Sequence, residues 1–209
     1  MSTRKRFHAP LYFLLNLPSA RPALELAQEA IAGGVDAIQL RAKEASAATL
    51  YETAQALRTM TRSAEVALII NDRLDVALAV DADGVHLGKE DLPLEAARAL
   101  APSLWIGVSC YGSVRRAEEA IAQGADYVAF GAFFNSPSKP QAPTIPLSTL
   151  REAQDLSVPV VAIGGITEAT IPSLISAGAE SVAVISAIQD AASPKNAAAR
   201  CKQALLLPS

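Results

Sequence analysis

Apolar and polar residues form two alternating patterns along the chain. Short runs of aliphatic residues are each followed by a longer stretch in which Ala, Leu and Glu recur at helical spacing. The short runs are 11–16, 36–41, 67–71, 84–87, 105–109, 127–131, 160–164 and 181–186. The helical stretches are approximately 22–33, 46–61, 73–80, 92–101, 113–123, 147–156, 168–177 and 187–206. The pattern therefore predicts about eight strand–helix units.

The predicted strands are apolar on both faces, as in 67–70 and 160–163. Strands of this kind are typical of a parallel sheet covered by helices. Eight such units favour an α/β fold, the closed (β/α)₈ TIM barrel, in a single domain over 1–209. The alternative is a doubly wound open sheet, but the first strand is followed by 14–18, LLNLP, without the glycine-rich turn common in that fold.

Glycine follows several predicted helices directly, in the phrases 32–36, 123–126 and 177–180. A glycine just beyond a helix adopts the left-handed conformation that ends it and leads the chain into the next strand. We therefore expect these glycines to be structural.

Composition narrows the class of protein. The 209 residues are 51% hydrophobic with a formal net charge of −3, which suits one compact domain and argues against nucleic acid as a partner. Residues 1–10 are basic but lack the apolar core of a signal peptide, so we expect a flexible tail and a cytoplasmic protein without a membrane segment. The two cysteines, Cys110 and Cys201, fit no metal-binding spacing, and Cys110 has no nearby histidine that would activate it.

Polar residues cluster where the predicted strands end, which is the end of such a barrel that carries the active site. Arg41, Lys43 and Lys139 are suited to binding phosphoryl oxygens. Asp72 and Asp91 are the hard oxygen ligands that Mg²⁺ takes alongside substrate phosphates. Backbone N–H groups at 164–165 and after 185–186 offer a second anion site.

Several of these residues have a structural alternative. Asp72 and Asp91 each precede a predicted helix, where aspartate is a good N-cap. Gln39 and Arg41 alternate with an apolar residue, so they fit a polar layer inside the barrel. We interpret His86 as a hydrogen-bonded core histidine.

The segment 132–146 is rich in proline and polar residues and longer than an ordinary strand–helix connection. We expect it to be a lid over the site that excludes water. Lys139 is its expected contact with phosphate.

Seven short motifs occur in the order found in the thiamine phosphate synthase family, which the chain resembles over nearly its whole length. They are Gln39-Leu-Arg-Ala-Lys43, Asn71-Asp-Arg-Leu-Asp75, Gly84-Val-His-Leu-Gly88 with Glu90-Asp-Leu-Pro93, Ile106-Gly-Val-Ser109, Ser136-Pro-Ser-Lys139, Ala162-Ile-Gly-Gly-Ile166 and Val182-Ala-Val-Ile-Ser-Ala-Ile188. Each motif alone is weakly specific, whereas the ordered set is strongly specific.

The resemblance implies a transferase of thiamine biosynthesis. In that family a pyrimidine diphosphate loses diphosphate, and its methylene carbon is joined to the nitrogen of a thiazole phosphate, carboxylated or not. By resemblance one Mg²⁺ per subunit is held by Asp72 and Asp91, and the catalytic residues are Arg41, Lys43 and Lys139. The pyrimidine diphosphate is held by Gln39, Arg41, Lys43, Asn71, Ser109 and Lys139, and the thiazole phosphate by Ser136, Pro137, Ser138, Gly165, Ile185 and Ser186. The expected partners are these small molecules, and the resemblance is compatible with a homo-oligomer.

The chain departs from the family pattern at three places. Tyr111 stands where many members have histidine, Ser136-Pro-Ser-Lys139 replaces a Thr-x-Thr-Lys form, and Gly131-Ala132 replaces Gly-Pro. Two other functions stay open: a thiazole tautomerase of the same family, and a non-catalytic sensor of phosphate ligands. The tautomerase uses a histidine, and this chain has only His8 and His86.

Overall fold

The computed structural model describes residues 5–135 and 143–207. Eight parallel strands form a closed barrel in sequence order, with each strand hydrogen-bonded to the next and β8 to β1. The strands are β1 (Leu11–Asn16), β2 (Ala37–Arg41), β3 (Ala67–Asn71), β4 (Gly84–Leu87), β5 (Trp105–Tyr111), β6 (Tyr127–Phe130), β7 (Val160–Ile163) and β8 (Ser181–Val184). The predicted (β/α)₈ barrel is confirmed, and the open-sheet alternative is excluded.

The helices surround the barrel. They are α1 (Ala23–Ala32), α2 (Ala47–Ser63), α3 (Leu74–Ala79), α4 (Leu94–Leu100), α5 (Val114–Ala122), α6 (Ser148–Glu152), α7 (Ile171–Ser176), α8 (Ser186–Gln189) and α9 (Pro194–Ala204). Within residues 5–135 and 143–207, every helix is too short or too polar to span a bilayer.

The single helix predicted over 187–206 is wrong, because the chain forms α8 and α9 there. Ser193 ends the interruption: its hydroxyl accepts a hydrogen bond from the Asn196 N–H at 3.3 Å, and Pro194 occupies the first turn of α9. Both residue types favour a new helix start.

The helix-ending glycines take the conformation that the sequence predicts. Gly34, Gly124 and Gly178 have φ of +93°, +97° and +111°. Each lies directly beyond a helix and before the next strand, where a residue with a Cβ would be strained.

Apolar side chains fill two layers, one between the barrel and the helices and one inside the barrel. In the inner layer Phe7 stacks on Tyr127 with ring centroids 4.0 Å apart. Phe7 and Ala9 are buried, and the Trp105 indole N–H donates to the Lys5 carbonyl at 2.7 Å. Residues 5–9 of the expected tail are therefore packed against the N-terminal end of the barrel.

Three aspartate side chains are hydrogen-bonded to the strand backbone at that same end of the barrel. Each carboxylate accepts a hydrogen bond of 2.8 Å from a backbone N–H at or near the start of a strand: Asp36 from Leu11, Asp83 from Leu68, and Asp126 from Ile106. Each is also paired with a basic side chain, which is Lys202, Arg58 or Arg98 respectively. These ion pairs and hydrogen bonds therefore stabilise the N-terminal end of the barrel, which is opposite to the end where a ligand is expected.

Candidate active site

The C-terminal strand ends bring most of the predicted residues together. Gln39 and Arg41 lie on β2, and both point into the barrel, Gln39 almost fully buried and Arg41 partly exposed. The Arg41 guanidinium donates to the Asn16 side-chain oxygen at 2.5 Å. Asn16 ends β1 and was missed in the sequence analysis. Its position at a strand end was the available signal.

An acidic pair lies beside these residues at the ends of β3 and β4. Burial raises the pKa of Asp72 first, and the neighbouring Asp91 carboxyl raises it further through a hydrogen bond and its charge. Lys43 acts in the opposite direction, because its ammonium lies 3.3 Å from the Asp72 carboxylate. Two carboxyl groups and one ammonium group therefore share one edge of the barrel mouth.

The helix-cap alternative for both aspartates is excluded. Helix α3 begins after Arg73 and α4 after Pro93, so neither aspartate is an N-cap. Asp72 has φ +62°, and its N–H donates to the His86 carbonyl at 2.8 Å. Asp91 instead accepts the Gly88 N–H at 2.6 Å. These bonds hold the two carboxyl groups together.

The donor set at this edge fits Mg²⁺. Among residues 5–135 and 143–207, no group of three or more His, Cys, Asp or Glu side chains is placed to hold a metal. Mg²⁺ needs no such group, since it is commonly held by one or two carboxylates together with substrate phosphate oxygens and water. The close approach of Asp72 and Asp91, which repel each other when both are ionised, is what a bound divalent cation would relieve.

A cavity of about 160 Å³ adjoins the acidic pair. It is lined by residues at the ends of β2 and β3, namely Ala42, Lys43, Ala45, Leu50, Asn71, Asp72 and Arg73. Asn71, a predicted ligand of the pyrimidine substrate, therefore lines the same cavity as Lys43 and Asp72.

Ser109 lies at an irregularity in β5. Ser109 pairs with Ala129 and Tyr111 with Phe130, so the residue between them, Cys110, has no partner in this register. Bulges of this kind redirect side chains and are frequent near active sites. Cys110 is buried in the outer apolar layer, whereas the Ser109 hydroxyl bonds to the His86 ring inside the barrel.

Tyr111, which replaces the family histidine, is half exposed at the end of β5. Its ring lies 5.6 Å from the Arg116 guanidinium carbon. The same guanidinium donates to the Ser109 carbonyl at 2.9 Å. Arg116 thus holds both residues of the strand end, and nothing in this arrangement gives Tyr111 the acid–base role of an imidazole.

His86 is buried and hydrogen-bonded on both ring nitrogens, so its interpretation as a core histidine is confirmed. Nδ1 is 3.2 Å from the Tyr127 hydroxyl and Nε2 is 2.9 Å from the Ser109 hydroxyl. Burial lowers the pKa of His86 to about 4, and the charge of Asp91 only partly offsets this. The ring is therefore neutral at physiological pH.

The turns after β7 and β8 form the other side of the mouth. Gly165 has φ +63°, and a Cβ there would come within 2.5 Å of the Phe134 and Asn135 carbonyl oxygens. Ile185 precedes the short helix α8, which begins at Ser186. In barrels of this kind, the turns after β7 and β8 are a common place for a phosphate-binding site.

The segment after β6 packs along this turn. The Phe134 N–H donates to the Gly164 carbonyl at 3.0 Å, and the Ile145 N–H donates back to the Ala132 carbonyl at 2.8 Å. The predicted lid thus leaves and rejoins the barrel beside β7. The predicted ligands Ser136, Pro137, Ser138 and Lys139 lie outside the described residues.

Comparisons with known proteins agree with this architecture. A family model described as thiamine monophosphate synthase matches residues 11–188. The thiamine-phosphate synthase of Moorella thermoacetica is 46% identical over 190 residues, which is 90% of each chain. That of Pyrococcus abyssi is 43% identical over 178 residues, covering 85% of this chain and 86% of the relative.

Solved structures that match include a relative named for the same activity and a more distant protein that shares only the fold. Thiamine phosphate pyrophosphorylase from Pyrococcus furiosus superposes with a TM-score of 0.87 at 39% identity, covering 94% of this chain and 95% of that one. A 3-hexulose-6-phosphate synthase shares the fold, with a TM-score of 0.73 at 24% identity over 94% of this chain and 99% of that one. The family match over most of the sequence and the shared barrel together show that the chain belongs to the thiamine monophosphate synthase family.

Proposed function

We propose that the chain is a thiamine-phosphate synthase that joins a pyrimidine diphosphate to a thiazole phosphate, with or without a carboxyl group, and releases diphosphate. The observation that carries the proposal is the acidic pair Asp72 and Asp91 beside Lys43, at the catalytic end of a barrel of this family. Carboxylates and an ammonium group in one cavity fit a metal-bound diphosphate.

In this proposal the diphosphate half of the site lies at the ends of β2 to β5. Lys43 and Arg41 face the diphosphate, and Gln39, Asn71 and Ser109 hold the rest of the pyrimidine substrate. Asp72 and Asp91 hold one Mg²⁺, which when bound stabilises the charge that develops on the departing diphosphate.

The thiazole phosphate half lies across the mouth, at the turns after β7 and β8. Gly165 and the start of α8 at Ile185 and Ser186 supply backbone N–H groups to its phosphate. By the family resemblance, Ser136, Pro137 and Ser138 border the same phosphate, and Lys139 reaches the diphosphate of the other substrate. The two anions are thus bound on opposite sides of the reacting atoms.

The proposed chemistry needs charge stabilisation more than proton transfer. The bond between the pyrimidine methylene carbon and the diphosphate oxygen breaks, and its electron pair leaves with diphosphate. The resonance-stabilised methylene cation then accepts the lone pair of the thiazole nitrogen. When the thiazole carries the carboxyl group, that group leaves as CO₂ and the electron pair of the broken bond stays on the ring. Arg41 and Lys43 stabilise the leaving group, while the two anion sites hold the carbon and nitrogen in line.

The proposal is tested by incubating the protein with both substrates and Mg²⁺ and measuring products by chromatography. We expect thiamine phosphate and diphosphate in equal amounts, with none formed when either substrate is omitted. Conversion of a thiazole phosphate isomer without the pyrimidine would support the tautomerase instead. Binding of the phosphates without turnover would support the sensor.

A further inference from the structure

A continuous row of hydrogen-bonded side chains crosses the interior of the barrel below the site. We call it the polar row; it consists of Gln39, Tyr12, Tyr127, His86 and Ser109. Successive polar atoms are separated by 2.7, 3.0, 3.2 and 2.9 Å. Its two ends, on β2 and β5, are residues that the proposed function assigns to the pyrimidine substrate. Tyr12, Tyr127 and His86 have no role in that function.

Hydrogen-bond chemistry gives the polar row a direction. The Gln39 amide nitrogen is a donor only, so the Tyr12 hydroxyl accepts from it and has its own proton to give to Tyr127. The Tyr127 hydroxyl, having accepted, donates to Nδ1 of His86. A neutral imidazole that accepts at Nδ1 carries its proton on Nε2, which then donates to Ser109.

The opposite direction is unfavourable. If Nδ1 of His86 carried the proton, it would donate to Tyr127, and the Tyr127 proton would have to turn toward Tyr12. Tyr12 already accepts from Gln39, so the Tyr12 proton would have no acceptor within the polar row. Tyr12 is fully buried, and buried donors without partners are rare in proteins. Gln39 therefore sets the direction of the polar row.

The direction of the polar row determines which hydrogen bond Ser109 can make. Its oxygen already accepts a hydrogen bond from the His86 Nε2–H, so its own O–H is left for a partner outside the polar row. Ser109 stands near the end of β5, where the barrel opens into the site. We propose that His86 and Tyr127 are positioning residues that make Ser109 a hydrogen-bond donor toward the pyrimidine diphosphate. The identity of that ligand rests on the proposed function, whereas the direction of the row does not.

The direction is measured by NMR of protein with ¹⁵N-labelled histidine. The chain has two histidines, and His8 is exposed, so the His86→Gln variant assigns the spectrum. We expect His86 to be neutral, with a protonated Nε2 and an unprotonated Nδ1. Tyr127→Phe removes the donor to Nδ1, and we expect a change in tautomer or a mixture. An Nδ1-protonated ring in the wild-type protein would overturn the proposal.

The effect on Ser109 is measured by a double-mutant cycle with His86→Leu and Ser109→Ala. Each single variant should raise the KM for the pyrimidine diphosphate about tenfold, the loss of one well-placed hydrogen bond. The double variant should be no worse than Ser109→Ala alone, because His86 acts through Ser109. His86→Gln, which retains an N–H donor, should restore most of the affinity.

Tyr127→Phe provides a second route if His86→Leu does not fold. It should raise the same KM, whereas Tyr51→Phe should not, since the Tyr51 hydroxyl bonds only to Gln55 on α2 among the described contacts. Additive effects of His86→Leu and Ser109→Ala, or an unchanged KM in folded Tyr127→Phe, would overturn the proposal. Failure of the wild-type protein to make thiamine phosphate would overturn the proposed function instead and leave the tautomer result standing.

Discussion

Asp72 and Asp75 lie three residues apart in the sequence, yet their surroundings shift their pKa values in opposite directions. Asp75 is paired with the exposed Arg73, whose hydrogen bond lowers the pKa of Asp75. Asp72 is partly buried against Asp91, and its pKa is raised. A carboxyl group that is costly to ionise alone is stabilised as a carboxylate when a cation binds beside it. The difference between these neighbours therefore favours Asp72 over Asp75 as the proposed metal ligand.

The sequence could name Asp72 and Asp91 as candidates but could not exclude the helix-cap alternative. The alternative is excluded by the positive φ of Asp72 and by the hydrogen bond that the Gly88 N–H donates to the Asp91 carboxylate. Both are results of tertiary packing. Asn16 was missed for a related reason, since it reaches Arg41 only through the register in which β1 pairs with β2.

The cysteines provide a prediction at this scale. Burial raises the pKa of the Cys110 thiol to about 12 and that of Cys201 to about 11, so neither is a reactive thiolate near neutral pH. We expect Cys110→Ala and Cys201→Ala to retain activity within about twofold, with a stability loss of about 1 kcal/mol each. Native protein should react with a thiol reagent at pH 8 far more slowly than unfolded protein. Rapid labelling of Cys110 with loss of turnover would contradict this account.

At the scale of elements, the turn after β7 has a demanding backbone geometry and, in the proposed function, also binds the thiazole phosphate. Gly165 has a positive φ and almost no space for a Cβ beside the Phe134 carbonyl. Gly34 also has a positive φ, but a Cβ there would meet only a Lys202 methylene at 3.8 Å. An alanine would be strained by the positive φ at either position, but only at Gly165 would its Cβ also collide with neighbouring backbone atoms. Comparing the two substitutions therefore distinguishes the effect of strain from that of crowding.

We predict that Gly34→Ala lowers the free energy of unfolding by about 1 kcal/mol and leaves kcat/KM unchanged. Gly165→Ala should destabilise by more and raise the KM for the thiazole phosphate at least about tenfold, because the turn must shift. Chemical denaturation and initial rates with varied thiazole phosphate measure the two effects. Equal kinetic parameters in both variants would contradict a role for Gly165 in binding the phosphate.

The boundaries of elements show where the sequence pattern was insufficient. Strand runs were predicted within one or two residues, because continuous aliphatic segments identify buried parallel strands. The division between α8 and α9 was missed, although Ser193-Pro194 carried the signal for a new helix. The bulge at Cys110 had no sequence signal, since it arises from the pairing of β5 with β6.

At the scale of the whole molecule, the two ends of the barrel have different tasks. Aspartates with basic partners bind strand starts at one end, and the acidic pair with Lys43 lies at the other. The fold was predictable because eight repeated units leave few arrangements. Most of the proposed site residues were predicted by placing strand-end residues at one end of a barrel. The polar row was not predictable, because its members come from five separate strands.

Burial of a neutral histidine in that interior predicts acid sensitivity. The pKa of His86 is about 4 in the folded protein against an ordinary 6.5, so between these values only the unfolded chain binds the proton. Stability should therefore fall as pH drops from about 6.5 to about 4, by about 3 kcal/mol from this group. Denaturant unfolding of the wild type and of His86→Gln at pH 7 and pH 4.5 isolates the contribution. The same pH dependence in both proteins would contradict it.

The central claim is that Asp72 and Asp91 hold the metal that activates the diphosphate. It is tested most directly by the Mg²⁺ dependence of the initial rate in Asp72→Asn and Asp91→Asn, with Asp75→Asn as the matched control. We predict rates lower by on the order of 100-fold in the first two variants, partly recovered at high Mg²⁺. Asp75→Asn should behave as the wild type, and thermal unfolding should show all three folded. Wild-type rates and Mg²⁺ dependence in folded Asp72→Asn and Asp91→Asn would contradict the account.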